Sequence, residues 1–109
     1  MLLNAHAAIV PADKLRDYLL SSTHPIGRYK SAFFRSLGYA QEHWHVLGCE
    51  LRATLSNDAL PFGAMEYGQK YGVRGTLTGP NGRTGRVITV WIILTGEVTP
   101  RFVTAYPRE

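Results

Sequence analysis

Thr23-His24-Pro25-Ile26-Gly27-Arg28-Tyr29-Lys30 holds an imidazole, a guanidinium and an amine within one short stretch. An imidazole exchanges protons near neutral pH, and clustered cations hold phosphate. Near the far end, Arg101-Phe102-Val103-Thr104-Ala105-Tyr106-Pro107 adds a hydroxyl and a phenol. Cleavage of RNA through its own 2′-hydroxyl needs such a set: a base for that proton, an acid for the leaving oxygen, and cations for the charge gathered on phosphorus. His24 suits either proton role. Lys30 and Arg28 supply charge beside a helix start, whose amides also favour anions. Tyr106 can donate a proton or stack a base, Thr104 can hydrogen-bond a phosphoryl oxygen, and Arg101 can pair with phosphate. Strict alternation along a strand puts Thr104 and Tyr106 on one face and Arg101 on the other. The plainer alternative is a turn into a helix with solvated charges, with Thr104 as a cross-strand filler and Tyr106-Pro107 closing a strand.

The elements that must position these residues read as helices first and strands second. Pro11 suits a first helical position, and Leu15, Tyr18 and Leu19 recur at helical spacing, so a first helix spans about 11–20 with these three on a buried stripe. Pro25 disfavours helical geometry at His24, which places that residue ahead of the second helix. That helix runs from Gly27 to Leu37, with Lys30, Phe33, Phe34 and Leu37 in period and Gly38 as its stop. A third spans about 41–55 on Trp44, Leu47 and Leu51. Ala59 to Met65 reads as a mixed linker.

The period then changes to two. Tyr67, Tyr71, Val73 and Leu77 form the apolar side of a strand whose other side carries Lys70, Arg74 and Thr76. Those two cations on an exposed sheet face are candidate RNA contacts, although no aromatic lies between them on that face. Gly79-Pro80-Asn81-Gly82 is a turn. Arg86 to Leu94 is apolar on both faces and so central. Thr95-Gly96-Glu97 turns again, and Arg101 to Tyr106 completes a meander to which Ala7–Val10 can add a short edge. The result is one α+β domain over 1–109: a helical part of about 11–56 packed on one face of a three- to four-stranded antiparallel sheet of about 66–107.

Composition narrows the alternatives. A chain of 109 residues with 45% apolar content supports one core. The net charge is +4; residues 1–60 carry six basic and five acidic side chains, and residues 61–109 six and three. That excess favours an acidic partner, either RNA or a small acidic cognate protein. The lone Cys49 excludes an internal disulfide and reads as a small core residue. The first ten residues make a poor signal peptide and no run is long enough to span a membrane, so a cytoplasmic location is expected. His43 and His45 lie about 200° apart on a continuous helix, which disfavours a shared metal ion. The glycines of 79–85 lack the ending of a phosphate-binding loop and join two strands. No cofactor is expected. The apolar residues Ile88, Val90 and Ile92 need cover opposite the helices, which a homodimer can provide.

His24-Pro25-x-Gly27-Arg28-x-Lys30-x-x-Phe33-Phe34 with Leu37-Gly38, then Tyr67-Gly68-Gln69-Lys70-Tyr71, then Phe102-Val103-Thr104-Ala105-Tyr106-Pro107, resembles a family of small bacterial proteins known as a domain of unknown function. The likeness runs from Leu3-Asn4 to Tyr106-Pro107 and implies no activity. The helix junction and the Thr-x-Tyr-Pro ending are also similar to bacterial toxin nucleases of the barnase, colicin-nuclease and RelE-like group. That resemblance implies a helical part before a four-stranded sheet, metal-independent RNA cleavage, and His24, Lys30, Thr104 and Tyr106 near the site. A fourth strand and a second histidine on the sheet are not evident in this chain. Two readings therefore stand: a metal-independent ribonuclease, such as the toxin of a toxin–antitoxin pair, and a non-catalytic antitoxin, immunity or scaffold module.

Overall fold

The computed structural model describes Leu2 and residues 4–108. Met1, Leu3 and Glu109, and with them the extreme ends of the leader reading and of the domain range, lie outside the described residues, as does the side chain of Tyr29. Helix α1 begins over Ala12–Lys14, with Pro11 extended just before it, and widens into a π-helical turn over Leu15–Leu19. Helix α2 spans Arg28–Ser36 and α3 spans Trp44–Ala53. A 3-10 turn precedes α3 at Gln41–His43 and another follows it at Thr54–Ser56. Four strands follow, β1 over Ala59–Met65, β2 over Gly68–Thr78, β3 over Thr84–Leu94 and β4 over Arg101–Pro107, paired antiparallel in the order β1-β2-β3-β4. The expected α+β architecture, helices on one face of an antiparallel meander, is the one observed.

Alternation explains the core. Val73, Leu77, Val87, Thr89, Trp91, Phe102 and Ala105 point to the helix side, where Leu15, Leu19, Phe34, Leu37, Leu47 and Leu51 meet them, all buried. The central place of β3 follows from its double apolar pattern: Val90 and Ile92 are buried on the opposite face as well. Its one buried polar side chain on the helix side is satisfied several times over. Thr89 Oγ1 accepts from Trp91 Nε1 at 2.9 Å, lies 3.0 Å from Thr54 Oγ1, and can donate to the Val73 carbonyl at 3.3 Å.

Several sequence expectations change. Ala59–Met65 is a strand and not a linker. Pro61 and Gly63 hide its pattern, yet both are tolerated because β1 is an edge strand with a register shift at Phe62. Ala7–Val10 contributes one parallel bridge, Ile9 to Arg101, at the start of β4. Cys49 is exposed, since it lies off the Leu47 and Leu51 stripe. The rings of His43 and His45 come to 6.2 Å, because His43 ends the 3-10 turn and the two do not share one continuous α-helix. Among the described residues no helix is long and apolar enough to cross a membrane.

Candidate active site

β4 is the outer strand of the sheet on the side where α1 and α2 pack. Thr104 pairs with Val90 and Tyr106 with Ile88, so both face away from the helical layer. Side chains from the helical layer must reach around the edge of β4 to meet them, and Tyr18 and Lys30 do. The π-helical turn contributes to this: Leu15 and Leu19 remain buried while Tyr18 is only half-buried and aims its phenol at Thr104. Such widened turns often accompany functional positions.

The junction between α1 and α2 is pinned closely. A β-carbon on Gly27 would collide with the Tyr18 carbonyl, so only glycine lets the chain pass there. His24 stands before α2, as Pro25 dictates, and its Nδ1 accepts hydrogen bonds from the Ile26 and Gly27 amides at 3.0 and 2.9 Å. The neutral ring therefore carries its proton on Nε2. Those two amides are consequently not open to an anion, which corrects the expectation of free donors ahead of the helix. The His24 ring packs edge-on against Tyr18, 5.0 Å between centroids.

Lys30, in the first turn of α2, ties the cluster together. Its Nζ donates to Thr104 Oγ1 at 2.7 Å and to Tyr18 Oη at 2.9 Å, while those two oxygens lie 3.2 Å apart. The same Nζ lies 5.2 Å from the Tyr18 ring centroid and 5.9 Å from that of Tyr106. Burial pushes the Tyr18 phenol up, but the hydrogen bonds with Lys30 and Thr104 and the charges of Lys30 and Lys14 outweigh it, leaving its pKa below the ordinary 10.0. A cleft of about 500 Å³ opens here, lined by Tyr18, His24, Ile26, Val103 and Thr104 with Asp13, Lys14 and Asp17 also contributing. Asp17 is held by Arg16 at 2.9 Å.

Of the sequence-derived candidates, the fold brings Lys30, Thr104 and Tyr106 together directly and adds His24 through Tyr18. Arg28 is exposed at the start of α2 and does not line the cleft. Lys70, Arg74 and Arg101 also lie outside it. Lys70 pairs across to Ile92 and Arg74 to Ile88, on the open face of the sheet. Arg101 pairs with Ile92 as well, and the register shift between Val90 and Trp91 puts it on the same face as Thr104. Simple alternation put it on the other face; the extra residue in β4 reverses that. Arg101 is engaged with Glu97 at 2.9 and 3.2 Å. Tyr18 is the functional candidate that the sequence reading missed. Its signal was a phenol on a stripe otherwise made of leucines. Among the described residues no three His, Cys, Asp or Glu side chains converge.

The whole chain, residues 1–109, matches a family model described as Domain of unknown function (DUF6883). No curated protein matches it in sequence. A chain of the solved contact-dependent growth inhibition toxin–immunity protein complex from Klebsiella pneumoniae 342 shares its fold, with a TM-score of 0.74, 16% identity, and 97% of each chain covered.

Proposed function

This chain belongs to the family described as Domain of unknown function (DUF6883), and we propose that it is a metal-independent ribonuclease of the toxin type. The observation behind this reading is the contact of Lys30 Nζ with Tyr18 Oη and Thr104 Oγ1, beside His24 and Tyr106. An RNA phosphate bound beside Thr104 at the cleft meets the Lys30 cation and the His24 Nε2–H; fixed donors of this kind stabilise charge gathered in the transition state. Tyr18, whose phenol ionises below its ordinary value beside Lys30 and Thr104, takes the proton from the 2′-hydroxyl. The 2′-oxygen bonds to phosphorus, the bond from phosphorus to the 5′-oxygen breaks, and Tyr106 gives its proton to that oxygen. Water then returns a proton to Tyr106 and removes one from Tyr18. The products are a 2′,3′-cyclic phosphate and a 5′-hydroxyl. The similar chain comes from a complex of a toxin with an immunity protein, which supports a protein partner for this chain too.

A second reading, an immunity or other binding module, is favoured by His24 itself: its Nδ1 is occupied in capping, a structural task. Incubation of the purified protein with total RNA in excess chelator separates the two. Ribonuclease chemistry yields cyclic-phosphate ends, which Lys30→Met abolishes. His24→Asn keeps a side-chain acceptor for the amides but removes the ring donor, so it folds and slows cleavage. Absence of cleavage, or cleavage indifferent to Lys30→Met, rules out the catalytic reading.

A further inference from the structure

On the open face of the sheet, residues paired across strands line up in rows. Arg74, Ile88 and Tyr106 form one row, and Leu60, Gly72, Val90 and Thr104 form the next. The Lys30–Thr104 contact therefore stands at the end of a row that runs across the whole sheet. A groove of about 290 Å³ lies over these rows, lined by Leu60, Phe62, Gly72, Arg74, Ile88 and Tyr106. Phe62 is the residue displaced by the register shift in β1, and bulges of this kind re-aim a side chain. Phe62 is 57% exposed, Leu60 63% and Tyr106 39%, a concentration of large apolar surface that a folded chain ordinarily covers or uses. A β-carbon built on Gly72 would meet Phe62 Cδ1 at 3.5 Å and Ile88 Cγ2 at 3.7 Å. Gly72 and Ile88 thus form the floor of the groove beside the Phe62 ring.

We infer that this groove is a subsite for one unpaired RNA base, stacked against Phe62 and Tyr106 over Gly72, with Arg74 donating to its acceptor edge. Charge complementarity selects this occupant: exposed Arg74 lies at one side and Lys30 sits over the Tyr106 ring at the other, so the groove pairs aromatic faces with cations as single-stranded RNA surfaces do. On this face of β2 the cations have no aromatic between them; Phe62 and Tyr106 come from β1 and β4. Tyr106 belongs to both places, with its ring in the groove and against Lys30, so a base held there keeps the adjoining phosphate at the Lys30–Thr104 cluster. The subsite rests on the ribonuclease reading for its ligand, and its own test does not require cleavage.

The probe is a short single-stranded RNA, 2′-O-methylated throughout so that it cannot be cut, carrying one 2-aminopurine whose fluorescence falls on stacking. Wild-type protein quenches the signal on binding. Phe62→Ala weakens binding about tenfold or more. Gly72→Val fills the floor and removes the quenching, while circular dichroism and thermal melting confirm that both variants remain folded. Binding without quenching, no binding, or equal binding by wild type and both variants overturns the subsite. So does sedimentation showing a dimer that Phe62→Ala dissolves, since a second copy then occupies the face. Quenching as expected with no cleavage of an unmodified RNA leaves the subsite standing and removes the ribonuclease reading alone.

Discussion

The two faces of the same four strands are built on opposite terms. Toward the helices, Val73, Val87, Thr89 and Trp91 are all fully buried, and the polar atoms of the Thr54–Thr89–Trp91 cluster are paired. Toward the open side, the alternate residues Arg74 and Tyr106 stay exposed, and Ile88 forms groove floor. One residue of register separates a side chain that holds the fold from one free to meet a ligand. The edge of β4 is where the two regimes meet: Lys30 and Tyr18 start in the helical layer and end at Thr104 on the other face.

The largest effect belongs to the buried face. Trp91→Ala is expected to cost about 3–5 kcal/mol, enough to unfold much of so small a domain, as urea denaturation would register. On the edge, Lys30→Met is expected to slow RNA cleavage about 100-fold or more while leaving the urea midpoint close to wild type, and a large loss of stability would show that this contact belongs to the core. Thr89→Val removes the acceptor of the Trp91 indole and should destabilise by about 1–3 kcal/mol without altering RNA binding; altered binding would mean that the two faces are coupled.

The smallest change is in titration. Absorbance at 295 nm, with Tyr18→Phe as the subtraction, should show the Tyr18 phenol ionising below its ordinary value and moving upward in Lys30→Met. Because folding lowers this pKa, its contribution to stability is fully present above the unfolded value of 10.0 and disappears as the pH falls through the folded one. The stability difference between wild type and Tyr18→Phe should therefore grow toward alkaline pH, beyond the constant loss of the hydroxyl's hydrogen bonds. In cleavage, activity should rise with pH as the phenolate forms, and a profile unchanged by Tyr18→Phe would deny Tyr18 the base role.

Much of the architecture was legible because its periods are strong. Phe34 and Leu37 mark α2, Val73 and Leu77 mark β2, and the double apolar run of β3 marks its central place. β1 was not legible, since Pro61 and Gly63 interrupt the alternation that an edge position and a register shift make tolerable. Losing β1 also hid Phe62, and with it the aromatic wall missing from the strand that carries Arg74. Alternation alone places Arg101 on the wrong face, because an extra residue in β4 cannot be counted from it. The exposure of Cys49 is not legible in its type, because its small size says nothing of which side of α3 it occupies. A uniform 3.6-residue turn puts Tyr18 on a leucine stripe, and only the π-helical turn sets it apart.

The sequence by itself determined the order of helices and strands, the extended entry at His24 that Pro25 imposes, and the stock of cations and phenols available for chemistry. These are consequences of local sterics and of the hydrophobic period, which act over a few residues. Only the tertiary structure decided which of those groups meet. Lys30 and Thr104 stand 74 residues apart in the chain, and Tyr18 and Thr104 stand 86 apart. Their contact depends on α1 and α2 packing along the edge of β4, on Gly27 letting the chain pass against Tyr18, and on the register of β4. No local pattern encodes those three conditions, because each is a relation between surfaces that fold separately and are then packed together.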